Sequence, residues 1–233
     1  MKLRVKYSKM EGARFLSHLE LMKAMERTFR RAKIPLAFSE GFNPHPKISY
    51  ASALSVGIAS RGEYLDLDLS LEMDVLDFKN RVNNCLVKGI EILDVKEVEG
   101  KTKSLTAIVE KAEYTAICSV EQKLTAGELQ KLVEAFLGQS EILVNRKSKN
   151  KEKEINIKEG IYHLSTELNG LNLVINFIVD SGSKGNIRAG EVYHAFITFA
   201  NITAHGTPTF IREDLYTIEN GSLCTPISVV GSR

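Results

Sequence analysis

Leu3, Val5 and Tyr7 alternate with Lys2, Arg4 and Lys6, the two-residue period of a half-buried strand, and predict a strand over residues 2–8. Ser17-His-Leu-Glu20 then has the S-x-x-E form in which the serine accepts from the third amide while the glutamate reaches back, so a helix is predicted to begin at Ser17. Within it Leu21, Met22, Met25, Phe29 and Ala32 fall on one side at ~100° per residue, and Lys23, Arg27, Arg30 and Arg31 gather on the opposite side. Pro35 and the following Gly41, Asn43, Pro44 and Pro46 stop the helix and impose a rigid, extended loop, because the residue before each proline is pushed out of the helical region.

Beyond that loop, residues 47–53 suit a strand, and Glu63-Tyr-Leu-Asp-Leu-Asp-Leu69 alternates as a strand with one buried face. Asp74 and Asp77 can open a second helix reaching Leu86, and residues 90–98 form a last strand. The resulting order, β-α-β-β-α-β, is the split βαβ arrangement of ferredoxin-like domains, with helices on one sheet face and the other face left available. Residues 99–106 read as a polar linker. Thr125-Ala-Gly-Glu128 repeats the capping logic between a strand at 113–120 and the apolar positions Leu129, Leu132, Val133 and Phe136. Strands near 141–146, 154–167 and 171–180, a helix at 189–199 and a strand at 209–218 follow. The fold class expected is α+β, with tandem ferredoxin-like domains at 1–100 and 107–233 and antiparallel sheets.

Charge sharpens this picture more than composition does. The whole chain carries +2, but residues 1–50 hold 11 Lys or Arg against 4 Asp or Glu, whereas residues 51–100 hold 5 against 10. Such polarity suits an anion or phosphate surface, with a solvated, self-paired face as the plainer reading. With 43% hydrophobic and 26% charged residues the composition is that of a globular protein. The N-terminus alternates charge and no apolar run approaches the ~20 residues of a membrane span, so a cytoplasmic location without membrane contact is expected. Cys85, Cys118 and Cys224 lie far apart with no CxxC pair, so neither a metal site nor a cofactor is expected.

Candidate chemistry concentrates in Ser39-Glu-Gly-Phe-Asn-Pro-His-Pro-Lys-Ile-Ser-Tyr50, where two prolines hold His45 extended and Phe42 and Tyr50 flank a histidine and Lys47. Stacking and phosphate contact can meet there, although the prolines can equally serve only to end a helix. His18 lies on the apolar flank of its helix, as a structural histidine or as an acid or base. In the second half, Ser181-Gly-Ser-Lys-Gly-Asn-Ile-Arg-Ala-Gly-Glu191 puts Lys184 and Arg188 ahead of a helix start, a weak phosphate signal without the spacing of a nucleotide loop, and a flexible turn is the alternative. The basic run at 146–154 reads as a solvated hairpin tip.

Arg14-Phe-Leu-Ser-His-Leu-Glu20, Arg27 with Arg30-Arg31, Gly41-Phe-Asn-Pro-His-Pro-Lys47 and Glu63-Tyr-Leu-Asp66 together resemble the bacterial radical SAM-linked family of unknown function; Ile211-Arg212, Leu215-Tyr216 and Thr225-Pro226 fit its closing pattern. The resemblance implies an accessory protein beside a radical SAM enzyme, close to RNA or translation. The chain has no CxxxCxxC motif and is not itself the radical enzyme. Three functions follow as expectations. The first is an RNA-binding module (tRNA or rRNA) gripping through Arg14, Lys23, Arg27, Arg30, Arg31, Phe42, Asn43, His45, Lys47 and Tyr50, with Lys184 and Arg188 added. The second, by fold analogy with the CRISPR repeat-processing endoribonucleases, is metal-independent RNA cleavage by His45 or His18, with Tyr50 assisting and Lys47 or Arg27 stabilising the phosphorane. The third is a protein adaptor that touches no RNA.

Overall fold

The structure, a computed structural model, describes residues 1–100, 102–122, 124–148, 151–182 and 185–231. It is a mixed α+β fold with mostly antiparallel sheet, and the chain divides into two compact units, residues 1–110 with 212–233 and residues 111–211. The chain leaves the first unit after Glu110 and returns to it at Arg212, a return that local periodicity does not reveal.

The first unit runs β1 (Lys2–Lys9), α1 (His18–Arg31), β2 (Ile48–Tyr50), β3 (Ala59–Asp68), α2 (Val75–Asn83), β4 (Ile90–Glu97) and the single turn α3 (Leu105–Ile108). β1 lies between β3 and β4, antiparallel to both, with Val5 opposite Leu65 on one side and Val95 on the other. β2 pairs with the later residues of β3, Tyr50 opposite Leu65. α1 starts where its capping box predicts: the Glu20 amide donates to Ser17 Oγ at 3.3 Å and the Ser17 amide to Glu20 Oε2 at 2.8 Å, contacts that hold the Glu20 carboxyl below its usual range. Its apolar stripe of Leu21, Met25 and Phe29 packs with Phe78 and Val82 of α2 over Leu3, Val5, Leu65 and Leu67, and the Phe29 and Phe78 rings stand 6.1 Å apart. The helix ends with Lys33 at φ 53° and the Ile34 amide donating to the Phe29 carbonyl, a left-handed cap that ordinarily selects glycine.

Several expectations change. The strand expected over 47–53 is confined to Ile48–Tyr50, and Leu105 of the expected linker is buried in α3. The strand expected at 63–69 begins at Ala59, and both of its faces are buried, polar residues included. The sheet face expected to stay open is closed by the returning C-terminal segment. Arg4 donates to Asp66 at 2.8 and 3.0 Å and to the Pro226 carbonyl at 3.0 Å, with Arg4 and Asp66 only 2% and 1% exposed. Alternation marks Arg4 and Asp66 as polar, and burial is nevertheless possible because each neutralises the other across directly opposed positions. Beside them Asp214 accepts from Lys6 and from the Tyr64 hydroxyl, each at 2.6 Å. On the helix-covered side Arg212 donates to both oxygens of Glu63 and to Ser52.

The second unit holds β5 (Lys111–Val120), α4 (Ala126–Leu137), β6 (Leu143–Ser148), β7 (Lys151–Asn156), β8 (Ile161–Asn169), β9 (Asn172–Asp180) and α5 (Ala189–Phe199). β10 (Ala204–Glu219) begins in this unit beside β5 and ends in the first unit, where β11 (Ser222–Cys224) pairs with it. β9 lies between β5 and β8, antiparallel to both. The single strand expected over 154–167 is two strands, because β7 ends at Asn156 and a 3-10 turn at Lys158–Gly160 redirects the chain into β8. β6 and β7 form a separate hairpin, the place of the basic run; its tip lies outside the described residues. Leu129, Val133 and Phe136 of α4 and Val192 and Phe196 of α5 are buried, with the Phe136 and Phe196 rings edge to face at 5.3 Å.

Replacing Asp66 by Ala strands the buried Arg4 guanidinium, and a loss of about 3–5 kcal/mol in denaturant unfolding is expected. Lys33→Gly relieves the left-handed lysine and is expected to raise stability by about 1 kcal/mol in the same measurement.

Candidate nucleic-acid interface

Helical spacing carries Lys23, Arg27 and Arg30 to one exposed line of α1, opposite the buried Leu21, Met25 and Phe29. None of the three forms an ion pair with a carboxylate among the described residues. Arg31 is also exposed, but its guanidinium donates to the Cys85 carbonyl at 2.6 Å and to Thr28, which engages it in the fold of the first unit.

The proline loop folds back on itself. Phe38 bridges to Pro46, the Ser39 amide donates to the His45 carbonyl at 2.9 Å, and the His45 amide donates to Ser39 Oγ at 3.1 Å. The His45 ring is held by the same residue, with Nδ1 3.1 Å from Ser39 Oγ and 3.3 Å from the Asn43 carbonyl. Phe42, at the tip beside a left-handed Gly41, is wholly exposed, and Asn43, His45 and Lys47 are exposed with it. A bare aromatic ring on a braced loop offers a stacking surface whose ordering cost is already met by the fold.

Tyr50 stands apart from that tip. It packs against the hydrophobic core of the first unit, and the half-buried His18 ring meets it edge to face at 5.5 Å. Burial pushes the Tyr50 phenol well above its usual range, with nearby Glu26 adding to the effect, so at neutral pH it remains protonated and can act as a hydrogen-bond donor but not as a base. Its hydroxyl and Arg14 Nε are buried without a hydrogen-bond partner among the described residues. Arg14 lies in the 3-10 turn Glu11–Phe15, with its guanidinium 4.8 Å from the centre of the Phe15 ring. The structure thus joins His18 to Tyr50 and ties His45 to Ser39.

In the second unit Arg188 is the exposed residue that precedes α5, its amide donating to Glu191 Oε2 at 2.9 Å. Lys184 lies outside the described residues.

Polar groups that the sequence reading passed over occupy the first unit's interior. Lys9 is 1% exposed, its ammonium donates to the Leu16 carbonyl at 2.6 Å, and burial lowers its pKa. Lys9 continues the odd-numbered series of Leu3, Val5 and Tyr7, the buried face of β1, and a lysine at that position gives no apolar signal to a two-residue period. Tyr7, opposite Glu63, has its phenol pushed up chiefly by burial and then by the Glu63 charge. Among the described residues no three His, Cys, Asp or Glu side chains are grouped to hold a metal ion, and no helix is long and apolar enough to cross a membrane.

Comparison with solved structures finds similarity to a chain of the crystal structure of a Cbf5-Nop10-Gar1 complex, with a TM-score of 0.53 and 14% identity over 98% of this chain and 53% of that one. A chain of the archaeal box H/ACA sRNP Nop10-Cbf5 complex matches with a TM-score of 0.47 and 10% identity, over 90% of this chain and 46% of that one. The chain therefore spans about half the length of these two solved chains, and at 14% identity the likeness to the first is one of fold alone. Comparison with curated proteins gives no match. A family model described as an uncharacterized protein conserved in bacteria (DUF2344) matches residues 2–189, and the chain belongs to that family.

Proposed function

We propose that the first unit is an RNA-binding module of the cytoplasm, acting as an accessory to a radical SAM enzyme. The observation that carries the RNA reading is the exposed line of Lys23, Arg27 and Arg30, unpaired with carboxylates among the described residues and followed in the chain by the braced loop with its bare Phe42 ring. Cations placed at helical spacing suit a row of phosphates, and an aromatic ring suits a base, because every base offers a π face. The radical SAM partner rests on the sequence resemblance of Arg14–Glu20, Arg27–Arg31 and Gly41–Lys47. Binding is favoured over cleavage because the candidate acid-base groups make separate contacts among the described residues, His45 with Ser39 and Asn43 and His18 with Tyr50, so they are not brought together as a pair at the loop tip.

Both units also fit one plan. β1, α1, β2, β3, α2 and β4 fall in the order of a split βαβ fold, and β5, α4, β8, β9, α5 and β10 follow the same order with the β6-β7 hairpin inserted. On this reading the chain is a tandem of ferredoxin-like units.

The test is binding to tRNA and ribosomal RNA fragments at several salt concentrations, with the RNA checked afterwards for cleavage. With three phosphate contacts the plot of log affinity against log salt should have a slope of about −2 on an unpaired strand, taking ~0.7 per contact. Lys23→Glu, Arg27→Glu and Arg30→Glu together should remove most of the affinity while leaving the melting temperature unchanged. Absence of binding at low salt would overturn the reading, and cleaved RNA that becomes intact in His45→Ala would replace it with the nuclease.

A further inference from the structure

Arg188, Gly190 and Glu191, which have no part in the interface above, line a cleft of about 610 Å³ in the second unit. That volume is in the range of small-molecule sites. One wall is a face of α5 on which Gly190, His194, Ala195 and Thr198 recur at helical spacing, and the opposite wall is the start of β6, with Leu143 and Asn145. Small residues keep the space open: a Cβ built on Gly190 meets nothing nearer than His194 Cδ2, at 4.0 Å.

The two ends of the cleft differ in chemistry. At the C-terminal end of α5, Phe199 and Phe136 stand 5.5 Å apart with their planes at 60°, and Phe199 is 39% exposed. At the N-terminal end Arg146 donates to both oxygens of Glu191, at 2.6 and 2.7 Å, and the Arg188 amide donates to the same carboxylate. Glu191 is therefore neutralised, and the exposed Arg188 guanidinium has no carboxylate partner among the described residues. The exposed Glu141 also lines the cleft. From Gly190 to Phe199 the helix rises ~13 Å, at ~1.5 Å per residue.

We propose that this cleft binds a flat aromatic molecule bearing one anionic group, its ring on the exposed part of Phe199 and its anion toward Arg188. The ring gains the exposed part of Phe199, which Phe136 backs from the core, and the anion meets a cation whose neighbouring carboxylate is already spent. The proposal is independent of RNA binding by the first unit.

The experiment titrates naphthyl phosphate into the full chain while amide NMR shifts are followed, with uncharged naphthalenemethanol as the control. The expected result is one saturable site with shifts concentrated at residues 190–199 and 142–145, and binding of the uncharged control weaker by about tenfold or more. Arg188→Glu should weaken naphthyl phosphate to a similar degree, Ala195→Trp should abolish binding by filling the cleft, and Arg27→Glu should leave it unchanged. No saturable binding, equal binding of both probes, or shifts confined to residues 23–30 would overturn the proposal. The shift map of the unaltered chain decides the matter even if Ala195→Trp does not fold.

Discussion

Charge burial on β3 is the constraint on which the first unit depends. Glu63 and Asp66 lie on opposite faces of one strand and both are nearly inaccessible, so each face must supply a cation. Arg4 answers Asp66 from the adjacent strand and Arg212 answers Glu63 from β10, both through paired guanidinium-carboxylate contacts. A buried pair of this kind contributes little net stability compared with a hydrophobic substitute, but it penalises every arrangement that separates the partners. It therefore specifies register: Arg4 must stand opposite Asp66, and β10 must arrive with Arg212 level with Glu63.

Much of this fold was legible in the sequence, and the reasons are local. The Ser17 and Thr125 capping boxes announce their helices, because the donor and acceptor that close each box sit three residues apart. The alternation in β1 and the apolar stripe of α1 identify the core for the same reason. What was not legible is long-range. Arg4 and Asp66 read as solvent-facing, since no pattern around residue 4 reports that Pro226 will close over it. The split of residues 154–167 into two strands was hidden as well, because β-rich sequence continues through the 3-10 turn that separates them.

The candidate interface shows the same division. Exposure of Lys23, Arg27 and Arg30 follows from helical periodicity once Leu21, Met25 and Phe29 are placed inside. The engagement of Arg31 by Cys85 does not, because its partner lies 54 residues away. Prolines at 44 and 46 predicted a rigid loop, while the element that completes its rigidity is Ser39, whose hydroxyl serves both the amide and the ring of His45. Tyr50 falls in the same stretch of sequence as Phe42 but in a different environment: one ring is packed into the core and the other is bare.

The discontinuity of the first unit bears on how the chain acquires its structure during synthesis. Residues 1–110 leave the ribosome first, carrying Glu63 and Arg4 in sequence that can already form helices and hairpins. Arg212, Asp214 and the Pro226 carbonyl leave only after the intervening 111–211 segment, which can fold as a contiguous unit. The unit that begins first is thus completed last, and until then its Glu63 carboxylate stays hydrated and that end of the sheet stays loose. This order leaves open, for the whole synthesis of the second unit, the edge of β3 that β10 will cover, and that is the interval in which a chaperone or a partner has most to gain by covering it.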